Sequence, residues 1–216
     1  MKMNLGLALF FAAAVVAPTG STAAGPPTLD DGLLDPAWFA VPGIEFHKVE
    51  DIDYLWVRPG FQLTGRKIQV EEWSDPEFLS MKKKRDAKDS AKAVELSERF
   101  PGLLRGALMS ALDGIAAVSR KEGDLSVTGR IVDCNAGSKA AKWLVGLGAG
   151  SASATWDMKL VDKASGEVVL AIHHRAISGT AMSEIDDKVI KWLEKLGDAL
   201  KGDVSRIYGS GKPATK

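Results

Sequence analysis

Ser151-Ala-Ser-Ala-Thr-Trp-Asp-Met-Lys-Leu-Val-Asp-Lys-Ala-Ser-Gly-Glu-Val-Val-Leu-Ala-Ile-His-His-Arg-Ala-Ile177 is the stretch that decides the fold. Its first half alternates. Ala152, Ala154, Trp156, Met158 and Leu160 fall on one face of an extended chain, and Ser151, Ser153, Thr155, Asp157 and Lys159 fall on the other. Lys163-Ala-Ser-Gly166 supplies a turn, and Val168, Leu170 and Ile172 return on the inner face, so 151–177 reads as an antiparallel hairpin with one buried and one wet side. On this reading His173 shares the exposed face with Arg175, whereas His174 lies on the inner register as a hydrogen-bonded residue at the core's edge.

Upstream, Tyr54-Leu-Trp-Val-Arg58 and Lys67-Ile-Gln-Val-Glu-Glu-Trp73 read as short strands separated by turns at Pro59-Gly60 and Gly65. From about Ala91 to Val118 the apolar spacing becomes helical, through Phe100, Leu104, Leu108, Leu112 and Ile115, and Pro101 suggests two pieces. With a strand at 125–133 this makes a β-α-β unit, right-handed if the strands are parallel neighbours. Downstream, Ser183-Glu-Ile-Asp186 has capping-box spacing, and Ile185, Val189, Leu193, Leu196, Leu200, Val204 and Ile207 form one stripe of a long amphipathic helix. Gly197 and Gly202 weaken its interior. The expected fold is α+β: a mixed β-sheet of four to five strands with a crossover helix and a long C-terminal amphipathic helix packed on it.

The N-terminus reads as an address rather than as part of the fold. Lys2 precedes an apolar run from Leu5 to Ala17, and Pro18-Thr-Gly-Ser-Thr-Ala-Ala24 follows with small residues suited to cleavage, so residues 1–24 are expected to be a secretory signal peptide. The run is short of the roughly 20 residues of a spanning helix, so no transmembrane segment is expected in the mature chain. Location in the periplasm follows. Residues 25–53, rich in Pro, Gly and Asp, are expected as an extended leader, 54–208 as a single α/β domain, and 209–216 as a flexible tail.

Composition narrows the function. The 216 residues carry 28 Lys+Arg against 28 Asp+Glu, so the basic excess that drives nucleic-acid binding is missing. The one cysteine, Cys134, forms no internal disulfide and reads as a small buried hydrophobe at a strand end, with an exposed thiol as the alternative. His173 and His174 diverge on a strand and His47 lies in the leader, so no metal site is expected, and no cofactor. The neighbouring carboxylates Glu50/Asp51, Glu71/Glu72 and Asp186/Asp187 fix no catalytic separation. Lys82-Lys-Lys-Arg85 reads as a solvated loop or helix start. Of the six tryptophans, Trp73, Trp156 and Trp192 are expected in the core or at its rim, and Trp38 and Trp56 as candidates for exposure.

The candidate site is Trp143-Leu-Val-Gly-Leu-Gly-Ala-Gly-Ser151, with Trp143, Gly146, Gly148 and Gly150 as its residues. The spacing G-x-G-x-G enters a strand instead of opening a helix, so it offers no helix N-terminus to a pyrophosphate. It reads as a taper giving a neighbouring element close approach, with a ligand slot as the alternative.

Tyr54-x-x-Val-Arg-Pro59, Asp133-Cys-Asn-Ala-Gly-Ser138, Ala141-Lys-Trp-Leu-Val-Gly-Leu-Gly-Ala-Gly150, Leu160-Val-Asp-Lys-Ala-Ser-Gly-Glu-Val168 and the closing Lys-Val-Ile-Lys-Trp192 together resemble an uncharacterised family of small Gram-negative envelope proteins and lipoproteins. More distantly, the chain resembles the α/β domains of the curli secretion lipoprotein and of the N-terminal part of the Tol-Pal protein. These resemblances imply a mixed sheet backed by helices and roles in binding and assembly at the cell envelope. This chain lacks the lipidated cysteine of the lipoprotein members. The leading expectation is a non-catalytic periplasmic protein that binds or helps assemble another envelope component, with an envelope protein as the expected partner; the alternative is a small-molecule or envelope-polymer binder using the glycine-rich strand.

Overall fold

The computed structural model describes residues 29–79, 86–137, 151–178 and 185–214. Its centre is the expected hairpin. Strands β6 (Ser153–Asp162) and β7 (Val168–Ile177) pair antiparallel, with Trp156 opposite His174 and Asp157 opposite His173. The turn is set by Asp162, whose carboxylate accepts from the Ala164 and Ser165 amides, and by Gly166 at φ 72°.

Around this pair lies one mixed sheet. It includes β1 (His47–Val49), β2 (Ile52–Val57), β3 (Lys67–Val70), β4 (Ala117–Ser119), β5 (Leu125–Asn135) and β8 (Lys212–Pro213), in the order β4-β3-β5-β6-β7-β2-β1-β8. The α+β class stands, but among the described residues the sheet has eight strands instead of four to five. The additional ones are short: β1, β4 and β8 span two or three residues, too few for alternation to register. β8 lies within the expected tail and pairs with β1 of the expected leader, and Ala214 donates its amide to the Phe46 carbonyl.

The β-α-β reading holds in part: β3 and β5 are parallel neighbours, but α1 (Ala87–Ala111) ends short of the expected Val118, and Ala117–Ser119 forms β4, a further parallel neighbour of β3 that lies between α1 and β5 in the chain. Pro101 does not divide this helix. It deletes one backbone donor, while Phe100 and Leu104, both fully buried, anchor the turns on either side. The C-terminal stripe is interrupted: α2 (Ile185–Lys201) ends before Gly202, and α3 (Val204–Ser210) restarts behind Asp203, which caps the Ser205 and Arg206 amides. The Ser183 end of the expected capping box lies outside the described residues. Gly197 is a point of contact, since a Cβ there would stand 2.6 Å from Ala111 Cβ where α2 meets α1. Among the described residues no helix is long and apolar enough to cross a membrane.

The main core lies between the helices and the sheet face carrying Leu55, Ile68, Val127, Trp156, Met158 and Ile172. A bulge at Val132 shifts the register of β5, so Cys134 faces this core and is buried. Phe100 stacks on Trp73 at 4.1 Å and approaches Trp156 at 5.2 Å. Gly129 allows this, because any Cβ there would strike the Trp73 ring at 2.5 Å.

The opposite face is where the expectation fails. Ser153, Thr155, Asp157 and His173, read as wet, are all buried. Residues 29–46 fold over the part of this face around His173 and Lys159 through two 3-10 turns, Asp30–Gly32 and Pro36–Phe39, and bring Leu34, Phe39 and Phe46 against Tyr54, Val168 and Ala171 in a second, smaller core.

Candidate functional site

Polar side chains on the covered face meet in a ladder across three adjacent strands. Arg130 of β5 lies opposite Asp157 of β6, which lies opposite His173 of β7. Arg130 is 1% exposed; Asp157 and His173 are fully buried. Asp157 Oδ2 accepts from Arg130 Nε at 2.8 Å, and its Oδ1 lies 2.7 Å from His173 Nδ1. The chain then leaves the sheet in two directions. His173 Nε2 reaches Asp30 Oδ2 at 3.1 Å, and Arg130 Nη1 donates to Glu77 at 2.5 Å. A side chain from the covering segment closes the top: Trp38 presents its ring to Arg130 at 4.7 Å and to Lys159 at 4.1 Å, while its carbonyl accepts from Lys159 Nζ at 2.7 Å.

The electrostatics follow from this enclosure. Burial opposes a charged His173, but the hydrogen bonds it donates to Asp157 and Asp30 outweigh it, and the imidazole pKa stands above its ordinary 6.5. Burial, aided by the neighbouring Arg130, pulls Lys159 down, with Asp157 opposing. Burial also raises the Tyr54 hydroxyl, whose ring meets His173 edge-on at 5.4 Å. Chemically the arrangement clamps. Both imidazole nitrogens and both oxygens of Asp157 are engaged by protein groups.

The other histidines are placed separately. His174 is largely buried on the inner face as expected, 2.9 Å from Asp53 and stacked on Trp192 at 4.8 Å. Burial would raise the Asp53 carboxyl, yet its hydrogen bond and charge interaction with His174 leave it below the ordinary value. His47 stacks on Tyr208 at 4.2 Å. Of the carboxylate neighbours, Asp186 joins α2 to Lys92 and Arg99 of α1, and Asp51 pairs with Lys195. Trp73, Trp156 and Trp192 are buried, whereas Trp38 and Trp56 are half-buried. Trp143, Gly146, Gly148 and Gly150 lie outside the described residues, as does Lys82-Lys-Lys-Arg85.

A second feature lies on the helical side. A groove of about 560 Å³ runs along the seam of α1 and α2, lined by Gly102, Leu103, Gly106, Ser110, Ile190 and Glu194. Met109 of α1 is 55% exposed and Ile190 of α2 is 40% exposed.

Sequence reasoning missed Arg130, Asp157 and Asp30 as a unit. The available signal was the hairpin register, which sets an aspartate opposite a histidine, together with one arginine inside the apolar strand Leu125-Ser-Val-Thr-Gly-Arg-Ile-Val132.

Among curated proteins nothing matches the chain. Among solved structures it is similar to the PelC dodecamer from Paraburkholderia phytofirmans, at 9% identity over 68% of this chain and 95% of that one, with a TM-score of 0.46. It is also similar to a Xanthomonas campestris protein of the DUF330 family, at 13% identity over 71% of this chain and 90% of the other, with a TM-score of 0.39. The model of a domain of unknown function, DUF4410, matches residues 57–185, from the end of β2 to the start of α2, and the chain belongs to that family.

Proposed function

We propose that this chain is a non-catalytic, exported protein of the cell envelope that binds or helps assemble another envelope component. One observation carries the reading: His173 and Lys159 on the covered sheet face, together with the small apolar core, hold a peptide segment, residues 29–46, against the sheet. A surface that binds peptide through buried charge and apolar contacts is suited to docking. The export signal read from residues 1–24 supports that compartment. Proximity crosslinking of the mature chain in cells tests it. The expected result is a reproducible adduct with one envelope protein; background alone counts against docking.

A second reading, a small-molecule or envelope-polymer binder, is favoured by the seam groove, whose volume lies in the range of small-molecule sites. A Cβ at Gly106 meets nothing within 4 Å, so Gly106→Phe fills the groove without a backbone clash. If the groove binds, that variant loses protection by envelope extracts in a thermal shift assay while keeping the crosslinked adduct.

A further inference from the structure

Within the segment that covers the sheet, residues 29–35 fit their site imperfectly. Arg130 Nη2 is buried without a hydrogen-bond partner and stops 3.9 Å from Asp35 Oδ2. Buried donors left without acceptors carry a free-energy penalty that a better-placed carboxylate would remove. The segment is also bent to fit, with Asp30 and Asp31 in the left-handed region at φ 46° and 52°. Its charge is complementary to the sheet. Asp30 lies on His173 and Asp35 lies toward Arg130, so the charges that meet across the contact are opposite in sign.

We propose that the sheet face around Arg130, Lys159 and His173 is a docking site for an acidic, aliphatic peptide of another envelope protein, a site that residues 29–35 occupy in cis. The proposal rests on the docking reading and names the chemistry of the partner. The class is set by what the face already holds: Asp30 on His173, Asp35 toward Arg130, and Leu33 and Leu34 buried between them. A peptide presenting two carboxylates about five residues apart around an aliphatic pair takes the same contacts, and a longer acidic side chain at the second position reaches Nη2. The cis segment has a natural stopping point. Pro36 starts the turn Pro36–Phe39, and Trp38 over Lys159 with Phe39 in the small core hold the chain beyond it.

The probe is a fluorescein-labelled peptide of sequence Leu-Asp-Asp-Gly-Leu-Leu-Asp, measured by anisotropy against the full mature chain and against Asp35→Asn. Asparagine retains the turn cap that Asp35 gives to the Ala37 amide, so the variant loses a charge and keeps its local geometry. Opening the cis contact raises the fraction of competent face, so the variant binds the probe at least tenfold more tightly than the unmodified chain. A probe with asparagine at its second and last positions binds at least tenfold more weakly. Equal affinity for both chains, or for both probes, overturns the proposal. Should Asp35→Asn melt without cooperativity, Asp30→Asn serves in its place, with the same expected gain and the same disproof. Light scattering decides the alternative occupant: a dimer of the unmodified chain that the probe dissociates makes a second copy the occupant and overturns the assignment to another protein. Crosslinked adducts in cells with no probe binding leave the docking reading standing and sink this one. Probe binding without adducts shows that the face takes such a peptide but sinks the docking reading, and with it the assignment to a partner protein.

Discussion

The residue that organises the covered face is Asp157. It has no exposure and two cationic partners, so its substitution strands charge. Asp157→Ala leaves Arg130 Nε and His173 Nδ1 without their buried acceptor, and removing one partner of such a pair costs about 3–5 kcal/mol. Urea unfolding should show a loss of that size; a loss below about 1 kcal/mol would mean that water reaches the face. The pH dependence has a fixed sign. His173 is held above its ordinary 6.5 despite burial, because Asp157 and Asp30 hydrogen-bond to it. Its charged form therefore favours the folded state: that contribution is complete below about pH 6.5 and is lost as pH rises through the raised folded-state value. Arg130 and Tyr54 face the same cluster without reversing this direction. Unfolding curves of the unmodified chain and His173→Gln should lie farthest apart on the acid side and converge on the alkaline side. A separation constant from pH 5.5 to 9 would remove His173 from the account.

At the scale of elements, α1 and α2 cross where two small residues permit it. The same two helices contain two glycines with opposite surroundings. At Gly197 a Cβ meets Ala111 Cβ at 2.6 Å, whereas at Gly106 it meets open space. Alanine improves helix propensity by about 1 kcal/mol at either place, but overpacking costs about 1–3 kcal/mol where the helices touch. Gly106→Ala should therefore stabilise by up to about 1 kcal/mol, and Gly197→Ala should destabilise by about 1 kcal/mol, in parallel urea titrations. Two changes of the same sign would show that propensity alone decides. The contrast also marks how far sequence reaches. The β6–β7 hairpin and most of the β3-α1-β5 unit were legible, because alternation and helical spacing run long there; the last turn was misread, since Ile115 and Val118 continue the helical spacing although α1 stops at Ala111 and Val118 lies in β4. The break at Gly202 was legible only as a weakness, since the apolar stripe continues through Val204 and Ile207 on a separate helix. The wet face was misread for a physical reason. Asp157 and His173 are polar, and polarity implies exposure only until buried partners satisfy it: Arg130 and His173 do so for Asp157, and Asp30 of a covering segment does so for His173. That partner, residues 29–46, has no period of its own. Nothing local in it announces that Asp30 will meet His173 far along the chain.

For the whole molecule, these contacts make three layers: helices, sheet, and a thin N-terminal cover that adds a second core. The cover is not uniform. Its outer part, residues 29–35, contributes Leu33 and Leu34 together with Asp30 and Asp35, while its inner part contributes Phe39 and Phe46 packed edge-on at 5.2 Å. Fully burying a large aliphatic or aromatic side chain stabilises by about 1.5–3 kcal/mol, an upper estimate because unfolded chains already bury some of this surface. Removing the outer part then costs about 3–6 kcal/mol, and removing both parts doubles that figure, comparable with the whole 5–15 kcal/mol of a typical domain. A chain starting at Pro36 should still unfold cooperatively by circular dichroism, at a lower midpoint. A chain starting at His47 also loses the Ala214 contact to Phe46, and it leaves Tyr54, Ala171 and the Arg130-Asp157-His173 ladder open to water. It should bind a hydrophobic dye strongly and show no cooperative transition. Cooperative melting of that shorter chain at the full-length midpoint would mean that the cover lies on the sheet without supporting it, and the docking face would then be free for a partner at no cost to the fold.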